Sequence, residues 1–578
     1  MLDASSSQFT GSLSDDIQKF SSLQYLDLSN NHLNETISEM VWKLPQLALL
    51  QVSSNFFKGA ISKNIGKTKI LSIDLSNNSL KGIPYESHMS NLSCVEKIDL
   101  SSCSLGPRFP TWIQSLHNRT HLDIANTGIS GRVPMEFWNM WPSQLTYLDL
   151  SSNNFDGPVP NVSSTLRWLD LSRNKFYGGI SFLCQISDRS LSFLDLSHNS
   201  FTGKIPECLW HFKDLKVLNL GQNNLHGRLH TSIGYLINLE VLYLYNNSFS
   251  GELPSSLKNC SMLTFLVLGA NEFSGYIPIS IGERLAGLYA LSLTSNQFSG
   301  AILLQLCQLP FLQILDLSNN KLRGNIPSCL NNIIAMVDNG LSPYQNLHSY
   351  NGSRYIDHAV IKWQGGVREF SNNLGMLKSI DLSSNNLSGQ IPNELTDLLQ
   401  VMQLNLSNNA LFGKIPHKIG EMKQLQILDL SRNKFSGGIP LSMSQLTLLS
   451  YLDVSYNNLS GRIPSGTQLQ SFLPSMYAGN VALCGPPLTN YFREDKELKA
   501  PTFVDQNEGG GEGIDELERW FYIGGATGFV VGFWITCGAL LVNRRGRKAF
   551  FDFYDSFNDW VYIKVAVFIA KWQQATHT

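Results

Sequence analysis

The sequence predicts an extracellular solenoid of short, parallel β-strands that is interrupted once by an insertion and followed by one transmembrane helix. Three observations support this fold class. A leucine-containing unit recurs at intervals of about 24 residues, a single interval of 65 residues separates Asn320 from Asn385, and an uncharged run extends from Trp520 to Val542. Together they divide the chain into a repeat array, an insertion and a membrane-anchored end.

The repeating unit is visible in segments such as LQYLDLSNNHL, which begins at Leu23, and LQILDLSRNKF, which begins at Leu425. Its second asparagine marks a register that recurs along the chain, with Cys or Thr substituted in two units. The register residues are Asn31, Asn55, Asn78, Cys103, Thr127, Asn153, Asn174, Asn199, Asn223, Asn247, Asn271, Asn296, Asn320, Asn385, Asn409, Asn433 and Asn457. This many copies identify the leucine-rich-repeat pattern.

Physical chemistry explains the residues of the unit. The leucines of L-x-x-L-x-L point inward from a short strand because neighbouring side chains alternate between faces, and stacked units bury them as one core. The asparagine amide can satisfy backbone groups where each strand turns away. The phrase SGQIP at Ser388–Pro392 adds Gly for a tight backbone and Pro to limit pairing at the sheet edge. This phrase is typical of plant-type repeats, whose solenoids are superhelical with a concave strand face.

The long interval and the flanking segments define the domains. The segment between the repeats lacks L-x-x-L-x-L, and insertions of this length are usually functional or disordered; its tyrosines and Trp363 argue against simple disorder. We assign residues 1–330 to the first repeats, 331–373 to the island insertion, 374–464 to the last four repeats, 465–500 to a C-terminal cap, 501–519 to an acidic linker, 520–542 to the transmembrane helix and 543–578 to a cytosolic tail.

A membrane crossing is predicted between Trp520 and Val542, where 23 consecutive residues carry no charge. At about 1.5 Å of rise per residue, a helix of this length covers the hydrocarbon core of roughly 30 Å. Acidic residues precede the run and basic residues follow it, at Asp505, Glu508, Glu512, Asp515, Glu516 and Glu518 and then at Arg544, Arg545, Arg547 and Lys548. The positive-inside bias therefore puts the C-terminus in the cytosol. A buried helix of a soluble domain is the alternative, but the flanking segments offer it no core.

Composition agrees with an extracellular array. The net charge of −2 gives no indication of nucleic-acid binding. Eight of the nine cysteines precede the crossing, and Cys537 lies within it. Eleven N-glycosylation sequons also precede it, at Asn34, Asn77, Asn91, Asn118, Asn161, Asn246, Asn259, Asn351, Asn386, Asn405 and Asn458. Part of this number is a by-product of a repeat that is rich in Asn, Leu and Ser.

With these residues the chain resembles the plant leucine-rich-repeat receptor-like proteins, which lack a kinase domain. The resemblance rests on the repeat phrases, the island before the last four units, SGTQLQSFLPSMYAGNVALCGPPL at Ser465–Leu488, the acidic juxtamembrane stretch, the crossing and the short aromatic tail. It is nearest to the group that includes receptors for fungal xylanase and scab-resistance proteins.

The resemblance implies a single-pass, type I receptor of the plasma membrane, with its N-terminus outside and the lipid bilayer around its crossing. Most members recognise a microbial elicitor in defence, and a minority control development. It implies signalling through a SOBIR-type adaptor kinase and a SERK-type co-receptor kinase, since the tail has only 36 residues and no kinase motif. A secreted-type inhibitor or wall-binding protein with the same repeat is the alternative class, but such proteins lack the crossing and the island.

Two features depart from the family pattern. Members usually begin with a signal peptide and a cysteine-bearing cap, whereas Met1 opens within a repeat. We expect that the sequence is N-terminally truncated, as a fragment or a truncated gene model. The alternative is that the protein is defective in secretion. In the cap, Cys484 lacks the second cysteine that usually follows shortly after it. The sequence therefore leaves undecided whether the cap is closed by a disulfide.

The candidate ligand-binding residues are defined against the chain's own repeat. The position between the last two leucines is usually Asp, but four consecutive units have Asn219, Tyr243, Val267 and Ser292; two residues later, the usual Ser becomes Gly221, Tyr245, Gly269 and Thr294. One strand position before the Asp column lie the aromatic residues Tyr147, Trp168, Phe193 and Phe265. We expect these rings to be exposed on the strand face and to act as recognition anchors. The alternative is cross-strand stacking that steadies the sheet.

Two further motifs are predicted at the membrane. Gly524, Gly528 and Gly532 lie on one face of the transmembrane helix, and glycine spacing of this kind allows close approach of a partner helix. In the tail, the segment from Tyr554 to Phe557 fits the Tyr-x-x-apolar endocytic signal, a short pattern that also occurs often by chance.

Cysteine spacing predicts two disulfides. Cys184 and Cys208 occupy nearly the same place in adjacent units, as do Cys307 and Cys329, and adjacent units bring such positions within bonding reach. Cys103 replaces a register Asn and is expected to be a buried free thiol. The pairing of Cys94, Cys260 and Cys484 is left open.

No enzymatic activity, metal site or cofactor is expected. His348 and the pair Asp357-His358 in the island have no motif context and are interpreted as solvated loop residues. The aspartates of the repeat are equivalent to one another, so they cannot each be a general acid.

Overall fold

A computed structural model describes residues 1–488 of the chain, apart from 63, 66–68, 83–94, 111, 114–119, 141–142, 339–346, 351–352, 357–358, 364–365 and 371–373. These residues fall in the unit Met1–Lys496. The transmembrane helix predicted at 520–542, the acidic linker and the cytosolic tail lie outside the described residues. The helices within the described part of the chain are all too short to span a bilayer.

Each repeat contributes one short strand to a major sheet of parallel strands. Within the described residues this sheet has 18 strands. They are Leu2–Asp3, Tyr25–Asp27, Leu49–Gln51, Ser72–Asp74, Lys97–Asp99, His121–Asp123, Tyr147–Asp149, Trp168–Asp170, Phe193–Asp195, Val217–Asn219, Val241–Tyr243, Phe265–Val267, Ala290–Ser292, Ile314–Asp316, Ser379–Asp381, Gln403–Asn405, Ile427–Asp429 and Tyr451–Asp453. The predicted solenoid of parallel strands is confirmed.

The strands pair in exact repeat register. Leu148 is opposite Leu169, and Leu169 is opposite Leu194, so equivalent positions of successive units form columns along the sheet. The middle residue of each strand points into one continuous leucine core, as with Leu218 and Leu242, which are fully buried. The two flanking residues of each strand point to the opposite side. We call this side the outer strand face.

A second set of parallel strands follows the turns. Their bounds are Ser130–Arg132, Asn154–Pro158, Lys175–Gly178, Ser200–Gly203, Asn224–Arg228, Ser248–Gly251, Glu272–Tyr276, Gln297–Gly300, Lys321–Gly324, Asn386–Gly389, Ala410–Gly413, Lys434–Gly437, Asn458–Arg462 and Ala482–Cys484. Near the N-terminus, Thr10–Gly11 pairs with His32–Leu33 and Lys58–Ala60 pairs with Ser79–Lys81. In the repeat phrase, Gly389 and Gly461 have φ near +86° and +85°, which explains the glycine there.

Short helices return the chain to the next strand. The 3-10 helices are Asp15–Lys19, Val41–Lys43, Ser181–Gln185, Glu207–His211, Thr231–Tyr235, Ser255–Asn259, Leu304–Gln308, Ser328–Asn332, Leu374–Met376, Asn393–Asp397, His417–Glu421, Leu441–Gln445 and Pro474–Tyr477, and the α-helices are Met135–Asn139, Ser280–Arg284, Ile334–Val337 and Thr467–Ser471. Each regular turn thus has a strand, a tight turn, a second strand and a short helix, which accounts for the 24-residue period.

The register asparagines join successive turns through a ladder of side-chain hydrogen bonds. Asn223 donates from Nδ2 to the carbonyl of Leu196 in the preceding turn at 2.9 Å and to the carbonyls of Leu220 and Gly221 in its own turn, both at 3.2 Å. Its Oδ1 accepts from the backbone N–H of Phe201 at 3.0 Å. One buried amide therefore satisfies four backbone groups where the strand ends.

The two substituted register positions form fewer of these bonds. The Cys103 thiol donates to the carbonyl of Leu75 at 3.3 Å, and the Thr127 hydroxyl donates to the carbonyl of Ile124 at 2.9 Å. The structure also reveals a register asparagine that sequence reasoning missed. Asn480, in the cap, donates to the carbonyls of Val454 and Tyr477 at 3.0 Å each. Its spacing of 23 residues from Asn457 was the available signal.

The island does not interrupt the major sheet. Ile314–Asp316 pairs directly with Ser379–Asp381, and the Asn385 amide donates to the carbonyl of Leu317 across the insertion at 2.9 Å. The described part of the island consists of a short α-helix and two antiparallel hairpins. The hairpins pair Leu347–Tyr350 with Ser353–Ile356 and Ala359–Trp363 with Gly366–Phe370. The island is therefore an excursion from one turn of the solenoid.

Two disulfides link neighbouring turns. Cys184 is bonded to Cys208 with Cα atoms 5.4 Å apart, and Cys307 is bonded to Cys329 with Cα atoms 5.7 Å apart. Both bonds join the short helices of successive turns. Among the described residues, Cys103 and Cys260 are buried free thiols, and the buried Cys484 thiol donates to the carbonyl of Gly461 at 3.3 Å. Cys94 lies outside the described residues.

The asparagine ladder generates a stability prediction. We expect Asn409→Ala to lower the free energy of unfolding by about 3 kcal/mol or more. The substitution removes three hydrogen bonds that the amide donates to backbone carbonyls and one that it accepts from a backbone N–H. Denaturant unfolding followed by circular dichroism measures this change. The matched control is Asn408→Ser, at the exposed neighbouring position where Ser384 stands one turn earlier. Equal destabilisation by the two substitutions would contradict the assigned role of the ladder.

Candidate functional site

The outer strand face carries two columns of side chains. In the unit L-x-x-L-x-L-x-x-N, the third and fifth positions point away from the leucine core, and the seventh position follows the strand. In the unit that begins at Leu145, these positions are Tyr147, Asp149 and Ser151. Because the strands are in register, each position forms a column with its equivalents in neighbouring turns.

Aspartates in the fifth-position column have a structural role at the end of each strand. Asp149 accepts a hydrogen bond at Oδ1 from the backbone N–H of Ser151 at 2.9 Å. Asp316 accepts from both the N–H and the hydroxyl of Ser318, at 3.0 and 2.6 Å. This local motif explains why the unit is written Asp-Leu-Ser.

Six of these aspartates follow one another in consecutive turns, and four of them have raised pKa values. The six are Asp74, Asp99, Asp123, Asp149, Asp170 and Asp195. Burial raises the pKa of Asp99 to about 7, and the Asp74 carboxylate adds to the shift. Burial raises the pKa of Asp149 to about 6 against the opposing effect of the Ser151 hydrogen bonds. Burial and neighbouring carboxylates also raise the pKa values of Asp123 and Asp170 well above the usual range.

This carboxylate column ends at Asn219. Its Nδ2 donates to Oδ2 of Asp195 at 2.8 Å, and its Oδ1 accepts from the N–H of Gly221 at 3.1 Å, so the asparagine keeps the strand-end bond without a charge. Asn405 repeats this arrangement beside Asp381. Between these two points, the column holds Tyr243, Val267 and Ser292 before Asp316 resumes it.

The expectation that the aromatic rings are exposed is wrong. Tyr147, Trp168 and Phe193 are only 5, 4 and 2% exposed, and Tyr243 and Phe265 are 1 and 0% exposed. The rings of Tyr147 and Trp168 stack at 5.3 Å, and those of Trp168 and Phe193 stack at 3.6 Å. In-register strands lie about 4.8 Å apart, which is close to a stacking distance, so the rings cover one another. Their contacts fit the cross-strand alternative.

A cavity of about 490 Å³ lies where the chain departs from its own repeat. It brings together five residues of the predicted patch, which are Tyr245, Val267, Gly269, Ser292 and Thr294. Asn219 and Tyr243 flank this region without lining the cavity, and the four rings at the third position also lie outside its lining. The cavity is therefore narrower than the predicted patch and lies on its C-terminal part.

Several lining residues were missed by sequence reasoning. Gln222, Asn246 and Ala270 occupy the eighth position, just before the register Asn, where the backbone is left-handed with φ between 51 and 53°. Asp316 and Ser384 belong to turns that keep the ordinary repeat. The available signal was geometric, since the eighth position follows the strand and adjoins the seventh-position substitutions.

The cavity wall nearest the island carries a hydrogen-bonded polar network. The hydroxyls of Thr294 and Ser318 are 2.7 Å apart, and the Ser318 hydroxyl donates to the Asp316 carboxylate. None of the described residues that line the cavity is Lys, Arg or His. The arrangement presents hydroxyls, amides, the ring of Tyr245 and one carboxylate to a ligand.

The predicted glycosylation sites differ in accessibility. Asn405 is wrong as a glycan site, because it is 5% exposed and its Nδ2 is hydrogen-bonded to Asp381 at 2.9 Å. Asn161 is half-buried, whereas Asn34, Asn77, Asn246, Asn259, Asn386 and Asn458 are exposed. Asn91, Asn118 and Asn351 lie outside the described residues, as do Gly524, Gly528, Gly532, Tyr554 and Phe557.

Comparison with known proteins agrees with this architecture. The Leucine Rich Repeat family model matches residues 22–44, 144–164, 190–212, 238–260, 311–333, 376–398, 424–446 and 448–469. The chain is 44% identical to Receptor-like protein EIX2 of Solanum lycopersicum across 85% of its own length and 53% of that relative. It is 54% identical to Receptor-like protein EIX1 of the same organism across 38% of its length and 21% of that relative. The chain therefore spans about half the length of the first of these relatives.

Solved structures show the same fold. The Arabidopsis receptor kinase HAESA, in complex with the peptide hormone IDA and the co-receptor SERK1, matches with a TM-score of 0.62 and 27% identity, covering 83% of this chain and 82% of that one. A TDR receptor matches with a TM-score of 0.58 and 26% identity, covering 82% and 87%. The chain is a leucine-rich-repeat protein, and its resemblance to plant receptor-like proteins is confirmed.

The aspartate column generates a pH prediction. A carboxyl whose folded pKa is raised binds protons more readily in the folded state, so its contribution to stability falls as pH rises from about 4 towards 7. His121 acts in the opposite direction, because burial lowers its pKa to about 4. The raised pKa of Asp149 should increase the free energy of unfolding when the pH is lowered from about 7.5 to about 5. We expect Asp149→Asn to make this increase smaller by about 1 kcal/mol. Denaturant titrations at the two pH values measure the difference.

Asn219 supplies the precedent for this substitution, since it keeps the strand-end bond. The control is Asp27→Asn in the same column position, outside the run of six carboxylates. A pH dependence that is unchanged by Asp149→Asn would show that the pKa of this carboxyl is not raised in the folded protein.

Proposed function

We propose that the chain is the ligand-binding part and anchor of a cell-surface receptor without a kinase, acting in plant defence. The observation that carries the proposal is the cavity at Tyr245, Val267 and Ser292, in the stretch where the repeat abandons its Asp and Ser. An extracellular ligand, a microbial elicitor, binds there on the outer strand face. The relatives named Receptor-like protein EIX1 and EIX2 support this class of function.

The location follows from the sequence. The uncharged run 520–542 and the basic residues after it support a topology with the repeats outside the plasma membrane and the tail in the cytosol. Exposed sequons, such as Asn34 and Asn458, support an extracellular array that carries glycans. The protein is a type I, single-pass membrane protein.

In this proposal signalling proceeds through partner kinases, as the resemblance to receptor-like proteins implies. A SERK-type co-receptor binds outside once ligand is present, near the island and the last four repeats. The HAESA structure, which holds the co-receptor SERK1 with a peptide hormone, supports this arrangement by analogy. A SOBIR-type adaptor kinase packs against Gly524, Gly528 and Gly532 within the membrane.

A developmental role is the second candidate. The observation that favours it is the peptide hormone IDA bound to HAESA, a protein that shares this fold at 27% identity. The two candidates differ in the source of the ligand, which is microbial in the first and endogenous in the second. They share the same site and the same recruitment of kinases.

The cavity can be tested with one substitution. We expect Ser292→Tyr to fill the cavity and to reduce ligand-triggered signalling at least tenfold. The receptor should still fold and reach the surface, because the fifth position already holds a tyrosine at Tyr243. The measurement is the oxidative burst of leaf cells that express tagged full-length protein and receive fractionated microbial extracts or endogenous peptides.

The matched control is Gln51→Tyr, at the same strand position but outside the cavity. It should signal as the unmodified receptor does. A full response from Ser292→Tyr would exclude the cavity as the ligand site.

The membrane interface is tested by replacing Gly524, Gly528 and Gly532 with leucine. The span stays apolar, but close helix approach is blocked, so adaptor association should fall severalfold while surface delivery persists. Co-immunoprecipitation with the SOBIR-type kinase measures association. Ala526→Leu, on the opposite face of the same predicted helix at about 100° per residue, serves as the control. If the triple variant associates normally while removal of residues after Lys548 abolishes signalling, the proposed route is incorrect.

A further inference from the structure

Two glycines at the seventh position surround the cavity, and neither is explained by backbone geometry. Gly221 and Gly269 do not have the positive φ of the glycines in the repeat phrase, such as Gly227 and Gly275. A residue with a side chain could therefore adopt their backbone conformation. Ser197 does so at the seventh position of the turn that precedes Gly221. What these two positions provide is the absence of a side chain.

Gly221 makes room for the ring of Tyr245. A Cβ atom at Gly221 would lie 2.3 Å from Cε1 and 2.7 Å from Cδ1 of that ring, well inside contact distance. The ring therefore lies back over Gly221, edge-on to His198 and Tyr243 at 6.4 Å from each. In this position it forms one wall of the cavity instead of filling it.

Gly269 leaves space on the opposite side of Tyr245. A Cβ atom there would lie 2.7 Å from Cγ2 of Thr294 and 3.7 Å from Oγ of Ser292. Thr294 leans over the glycine and is held by its hydrogen bond to Ser318. The missing side chain thus forms part of the cavity, which extends from Tyr245 to the polar wall at Asp316.

We propose that Gly221 and Gly269 are specificity-determining residues that hold this cavity open, and that the cavity receives a basic side chain of a polypeptide ligand and excludes anionic groups. The charge preference follows from the lining, which offers the Asp316 carboxylate and hydroxyls but no positive charge among its described residues. This ligand class rests on the proposed function, whereas the shape of the cavity does not.

Both parts can be tested without the ligand by the reactivity of a thiol placed in the cavity. Ser292→Cys is nearly isosteric and puts a thiol on the lining in the full-length protein, purified in detergent. The probes are methanethiosulfonates that carry either a trimethylammonium or a sulfonate group. We expect the cationic reagent to be favoured by about tenfold over its preference at Thr231→Cys, an exposed reference on a short helix. Labelling of the chain without either substitution is subtracted.

Asp316→Asn should remove most of this preference. Labelling by an uncharged methanethiosulfonate, the neutral reagent, should stay unchanged. An equal preference at the two cysteines, or a preference that survives Asp316→Asn, would overturn the proposed ligand class.

The role of Gly221 is tested in the same Ser292→Cys background. We expect Gly221→Ala to displace the Tyr245 ring into the cavity and to slow labelling by the neutral reagent at least tenfold. Adding Tyr245→Ser, the usual residue of the repeat at this position, should restore the rate. Unchanged labelling in Gly221→Ala, or slow labelling that persists after Tyr245→Ser, would refute the positioning role. A general loss of structure in Gly221→Ala would instead raise the labelling rate. In that case Gly269→Ala decides the point, because its methyl group is expected to occupy the cavity and slow labelling.

These outcomes are separable from the proposed function. If the labelling results are as expected but Ser292→Tyr leaves signalling intact, the cavity is real and the receptor proposal is wrong for this site. If Ser292→Tyr abolishes signalling but the cationic preference is absent, the site is functional and the ligand class is wrong.

Discussion

The fold depends on a buried or half-buried asparagine amide that recurs at the strand end of nearly every turn. Each register asparagine donates to one carbonyl of the preceding turn and two of its own, and accepts from a backbone N–H of the preceding turn, as Asn433 does with Leu406, Leu430, Ser431 and Leu411. Because half of these partners belong to the neighbouring turn, the ladder fixes the spacing and register between turns together with the end of each strand. Hydrophobic burial alone is not directional and could not set this register.

Exact register places equivalent residues of successive turns side by side in columns, and the properties of the outer strand face follow from that. Aspartate beside aspartate gives carboxyls with raised pKa values, as at Asp99 and Asp149. Ring beside ring gives the stack of Trp168 on Phe193. A glycine beside a tyrosine lets the ring of Tyr245 fold back and leaves a cavity. The site is thus a local change in column composition on an otherwise uniform scaffold.

Much of this could be predicted from the sequence, because a strict period determines which residues are neighbours. The strands, the leucine core and the one-turn proximity of Cys184 to Cys208 all follow from spacing. The period does not determine how completely neighbours cover one another, so the rings were expected to be exposed. Sequons carry no information on burial, which is why Asn405 was misjudged. The cavity depends on the rotamer of Tyr245, which in turn depends on the empty space at Gly221.

The residues that interrupt the aspartate column exchange a strand-end hydrogen bond for other contacts. A long run of carboxylates is unfavourable, and replacing one of them would relieve the repulsion. Asparagine achieves this while keeping the strand-end hydrogen bond, as Asn219 and Asn405 demonstrate beside Asp195 and Asp381. Tyr243, Val267 and Ser292 have no carboxylate or amide acceptor for that bond, which is worth about 1 kcal/mol in each turn. At Tyr243 and Val267 this loss is offset by burial in an apolar cluster of the outer strand face, which is worth about 1.5–3 kcal/mol for a side chain of this size. Ser292 lies outside that cluster and lines the cavity, so among the three it is the residue whose departure from the rule fits the proposed ligand site best.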